Sequence, residues 1–148
     1  MDPTRQSTEE PRWGALRELM LRRIPFNRVL GIDILELASG RAVLAVPFRP
    51  ELVGDPDRPA PHGGGISALA DTCGGCAVWS AVGGDDRVSS IDLRVDYLRP
   101  GRLEDLHAAG EVLRVGNRVG VANISLFHPS RPGELVAEAK GVYSEKRA

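Results

Sequence analysis

The chain has 148 residues, with 19 Lys and Arg against 20 Asp and Glu, for a formal net charge of −1. That balance excludes the positive field on which nucleic-acid binding depends, and no apolar run is long enough to span a bilayer. With 42% hydrophobic residues, the length suits one domain around a single core.

The expected domain is 12–148, preceded by a polar, poorly ordered tail at 1–11, MDPTRQSTEEP. No signal-peptide pattern opens the chain, so a cytoplasmic protein is expected. Trp13, Leu16, Leu19 and Met20 share one face of a predicted helix over Arg12–Arg23, ended by Pro25. Leu30–Ala38 reads as a first strand, and Ser39-Gly40 as a two-residue turn into an antiparallel partner, Arg41–Phe48. Residues 49–61 hold four prolines and one glycine and form a loop.

The stretch His62–Gly84, HGGGISALADTCGGCAVWSAVGG, is the centre of the pattern. Its interior is apolar almost all round, as in a helix buried on every side, with Ile66, Leu69, Cys73, Cys76, Ala77 and Trp79 facing a core. Asp71 is the one charged residue between Gly63 and Gly84. An unpaired buried carboxylate is costly, so it needs a compensating neighbour, a raised pKa or water from a pocket. Pro61-His62-Gly63-Gly64-Gly65 leads into the helix start, where amides lack partners and the dipole is positive. Two readings fit these glycines: a tight turn packed on a sheet, or a close approach for an anion or oxyanion. Cys73 and Cys76 lie one helical turn apart, and with His62, His107 and His128 scattered they read as small buried thiols. No metal or redox cofactor is expected.

Gly83-Gly84-Asp85-Asp86 marks a turn. Beyond it Ser90–Tyr97 alternates, with Ile91, Leu93, Val95 and Tyr97 on one side and Ser90, Asp92, Arg94 and Asp96 on the other. Three more predicted strands follow at Leu103–Val115, Arg118–Phe127 and Glu134–Ser144. Two strands, a long buried helix and four strands make an α+β fold with an antiparallel sheet.

This layout resembles the hotdog fold, in which an antiparallel sheet wraps a long central helix. The ordered set H-G-G-x-x-x-x-L-A-D-T, S-I-D-L-R-V-D-Y-L-R-P-G and L-V-A-E-A-K-G-V-Y, spanning about Gly31 to Tyr143, is similar to the PaaI-like branch of hotdog acyl-CoA thioesterases. The resemblance implies hydrolysis of a medium-chain or aryl acyl-CoA to free acid and CoA. It makes Asp71 the catalytic carboxylate, as nucleophile or as general base, and the Gly63 N–H the donor to the thioester oxygen. Ser90 falls where some relatives position a water, with Ser89 one register step away. His62 is the motif histidine, as a loop-holding hydrogen bond or a direct participant.

Gly64, Arg99 and Arg118 are the expected substrate contacts, and Arg94, Arg102 and Lys140 are further cations within the CoA question. The resemblance also implies a homodimer or homotetramer whose sites combine two chains, paired through the Ile91–Tyr97 strand. Several relatives carry Asn or Gln in the loop before the HGG motif. Residues 54–61 here hold neither, which leaves Asp57 or Arg58 as substitutes. Two alternatives stand beside hydrolysis: a non-catalytic acyl-CoA-binding module and a hotdog hydratase or dehydratase.

Overall fold

A computed structural model describes residues 11–82 and 87–146. The tail before Pro11 and the turn at 83–86 lie outside the described residues. Helix α1 (Pro11–Glu18) runs into a π-helical turn (Leu19–Arg23), and a second helix, α2 (Pro25–Leu30), follows at once. Pro25 thus begins a helix as well as closing one: at the first helical position its missing N–H costs nothing and its fixed φ fits. Gly31, with φ +72°, ends α2 in the left-handed conformation that glycine tolerates. The first strand therefore starts at Asp33, and Leu30 belongs to the helix.

Strands β1 (Asp33–Ala38) and β2 (Arg41–Val46) form the predicted hairpin, turned at Gly40 with φ +78°. A short 3-10 turn (Pro50–Leu52) and a Val53–Pro61 bridge order part of the proline-rich loop. Helix α3 (Gly63–Ala81) is followed by β3 (Arg87–Tyr97), β4 (Leu106–Val115), β5 (Val119–Phe127) and β6 (Ala137–Lys146). The six strands form one antiparallel sheet in the order β1-β2-β4-β5-β6-β3. β3 is thus an edge strand eleven residues long.

The sheet curls around α3, whose Leu69, Ala70, Cys73, Cys76, Ala77 and Val78 are fully enclosed. Small residues let the strands come close: the Cys73 thiol meets the main-chain oxygens of Ala42 and Ala108 at 3.4 Å. Both cysteines are free and buried, as the sequence suggested. Burial raises both thiol pKa values, that of Cys76 to about 12.

β3 departs from the strict alternation read in the sequence. Ser90 pairs with Tyr143 and Asp92 with Val142, so Ile91 is an extra residue in a β-bulge. Leu93 and Val95 pack on the core as expected, whereas Ile91 is 58% exposed. The bulge moves Ser90 onto the helix side of the strand with Leu93, opposite to its predicted face.

Candidate active site

The start of α3 is anchored by the loop before it. His62 N–H donates to the Leu52 carbonyl at 2.7 Å, and Gly54 N–H donates to that of Ala60 at 2.9 Å. His62 is the N-cap: its Nδ1 accepts the Gly64 N–H at 2.7 Å, and its carbonyl accepts those of Gly65 and Ile66 at 3.0 and 3.2 Å. The histidine therefore holds the helix start. With those three amides occupied, Gly64 has no N–H left for a substrate. Gly63 N–H alone in this first turn has no partner among the described residues.

Gly63 lines a groove of about 380 Å³ with Pro61, Ile66, Tyr97, Leu98 and Arg99. Tyr97, which the sequence offered only as a strand residue, donates its hydroxyl to the Gly63 carbonyl at 3.1 Å. Its ring would meet a Cβ at Gly63 at 3.5 Å. The groove floor is held by His128, another residue the sequence did not single out. This buried imidazole accepts the Arg102 N–H at Nε2 (2.8 Å) and donates from Nδ1 to the Asp105 carbonyl (2.9 Å). It seats Gly101 where a Cβ would stand 3.0 Å from Pro61.

Asp71 lies eight residues along α3 from Gly63, about 12 Å at 1.5 Å per residue. It is half-buried, at the rim where α3 meets β3, not sealed in an apolar interior. Ser90 Oγ donates to its Oδ1 at 2.6 Å, and Tyr143 donates its hydroxyl to the Asp71 carbonyl at 3.0 Å. Of the compensations open to this carboxylate, a polar neighbour and partial solvation are the ones present. Asp57 and Arg58 do not reach Asp71 within the chain, since both make their contacts to Asp55.

Arg99 is exposed beside Gly63. Arg118 is exposed at the opposite end of β3, where its carbonyl accepts the N–H of Glu145, the register partner of Val88. The eight steps along β6 from Ala137 to Glu145, at about 3.3 Å each, set the two arginines about 26 Å apart within one chain. Among the described residues no cluster of His, Cys, Asp and Glu is arranged to hold a metal, and no helix is long and apolar enough to cross a membrane.

A single long helix gripped by a six-stranded antiparallel sheet, with an open amide at its start and a carboxylate midway, defines a hotdog protein. Residues 61–135 match the thioesterase superfamily, and the chain belongs to that family. It is 34% identical to the medium/long-chain acyl-CoA thioesterase YigI of Escherichia coli K12, over 92% of this chain and 95% of that protein. A putative esterase of Halobacterium salinarum is 41% identical over 68% of each chain. A thioesterase-superfamily crystal structure from Shewanella oneidensis superposes with a TM-score of 0.78 at 31% identity, covering 88% of this chain and 93% of that one.

Proposed function

We propose that this protein hydrolyses medium- to long-chain acyl-CoA thioesters to free acid and CoA, in the manner of the PaaI-like branch. The observation that carries the reading is the pairing of an open Gly63 N–H in a groove with a hydroxyl-held carboxylate at Asp71. The amide stabilises negative charge developing on the thioester oxygen. Asp71 attacks the carbonyl carbon or removes a proton from the attacking water, and Ser90 orients it.

At about 12 Å apart on one rigid helix, Gly63 and Asp71 of the same copy do not reach one carbonyl. Two copies do. β3 is an open edge, Tyr97 touches Gly63 near one of its ends and Ser90 touches Asp71 near the other. Antiparallel pairing of two β3 strands with Tyr97 opposite Ser90 sets each Gly63 against the Asp71 of the second copy. The same register puts Arg99 opposite Val88, hence near Arg118 of the second copy, so both arginines flank one composite site for the CoA phosphates. We accordingly expect a cytoplasmic homodimer or homotetramer of a single domain, 12–148.

The test is thiol release from acyl-CoAs of graded chain length, with an aryl-CoA included, for the natural chain and Asp71→Asn. Turnover lost in Asp71→Asn with the folded oligomer retained supports the assignment. Tight binding without turnover in the natural chain replaces it with a binding module.

A further inference from the structure

The geometry points to Tyr143 as the positioning residue for Asp71, with Gly74 and Gly141 making room for it; this inference rests on the hydrolase reading above. Tyr143 is 1% exposed, so it does not meet substrate. Its hydroxyl donates to the Asp71 carbonyl at 3.0 Å, and burial followed by the charge of Asp71 raises the phenol pKa and keeps the proton on the oxygen. Ser90 and Tyr143 form one cross-strand pair between β3 and β6. That single pair therefore supplies both hydroxyls that hold Asp71, one on the carboxylate and one on the main chain.

The surroundings are shaped to this phenol. A Cβ at Gly74, in the middle of α3, would lie 2.2 Å from the Tyr143 hydroxyl. A Cβ at Gly141, in the middle of β6, would lie 2.3 Å from it and 2.5 Å from the ring. Glycine is unfavourable inside both helices and strands. Its presence at two such positions against one side chain accounts for part of the C-G-G-C segment that neither redox nor metal chemistry explains. An aromatic ring filling core space needs no hydroxyl at the main chain of Asp71; here the hydroxyl is the part for which Gly74 clears the way.

The deciding variant is Tyr143→Phe, which keeps the ring. Steady-state kinetics should show kcat lowered about five- to tenfold, the size of one lost hydrogen bond, with KM within about twofold. Ile34→Val, a core change on β1 remote from Asp71, controls for stability: it should lower the melting temperature with kcat unchanged. Wild-type kcat in Tyr143→Phe, or a kcat loss that Ile34→Val reproduces, overturns the inference. If the natural chain turns over no acyl-CoA, the hydrolase reading fails and a crystal structure of Tyr143→Phe decides the positioning role separately. Loss of the 2.6 Å Ser90–Asp71 bond supports it, and retention of that bond refutes it.

Discussion

Asp71 was legible in the sequence because a charge alone in an apolar helix has few physical excuses. What holds it was legible only in part: the resemblance named Ser90, as a residue that positions water, and gave no role to Tyr143. Ser90 was placed on the far face by simple alternation, and only the bulge at Ile91 turns it toward the helix; a one-residue insertion in a ladder leaves no mark in composition. Ser90→Ala should lower kcat about 10- to 100-fold, the range for a hydrogen bond to a charged group, while elution in size-exclusion chromatography stays that of the natural chain. Equal activity in Ser90→Ala and the natural chain would remove the hydroxyl from the mechanism. His128, which seats the loop beside Gly63, was equally silent, because a lone histidine carries no information until the two main-chain groups it bridges are near it in space.

At the scale of elements, α3 was read almost to its ends because an apolar stretch too short to span a bilayer is accounted for by burial in a core. α2 was missed: six residues are too few for a period to emerge, and Pro25 signals a start as readily as a stop. The enclosure of α3 has a consequence in alkaline solution. The thiols of Cys73 and Cys76 ordinarily ionise near pH 9.0, and burial raises both values in the fold. The unfolded chain therefore loses these protons first, so stability is fully present below about pH 9 and declines above it, by up to about 1.4 kcal/mol per pH unit for each thiol. Urea denaturation at pH 8 and pH 10 should show this fall, and Cys76→Ala should reduce it. A flat profile would mean that the thiols meet water in the native state.

The whole molecule divides its proposed chemistry between copies, and this division is open to a mixing experiment. Gly63→Pro is well suited to it. Gly63 follows the N-cap, where proline fits, and His62 already has the extended backbone, φ −62° and ψ 135°, that precedes proline. The substitution removes the N–H with the helix start retained. Asp71→Asn and Gly63→Pro should each be inactive alone. Co-refolded in equal amounts, half of the dimers are mixed and each mixed dimer has one intact site, so about a quarter of the natural activity returns. No recovery would place donor and acid on the same chain. The number of strands and the place of the helix among them followed from the order of elements along the chain, whereas the position of β3 at the sheet edge beside β6 did not. The distance between Gly63 and Asp71 becomes a statement about assembly only when helical rise is set against the reach of one carbonyl.

The open edge of β3 also bears on the chain as a single copy. A solitary copy presents the outer edge of an eleven-residue strand, paired only on its β6 side, with Ile91 exposed, the template onto which an extended peptide adds. Asp92, Arg94 and Asp96 along that strand are exposed charges of the kind that discourages such addition. On the proposed pairing of two copies, newly synthesised molecules are accordingly most prone to aggregate before that pairing covers the edge, and replacing those charges by Val or Thr would increase that hazard while leaving the core untouched.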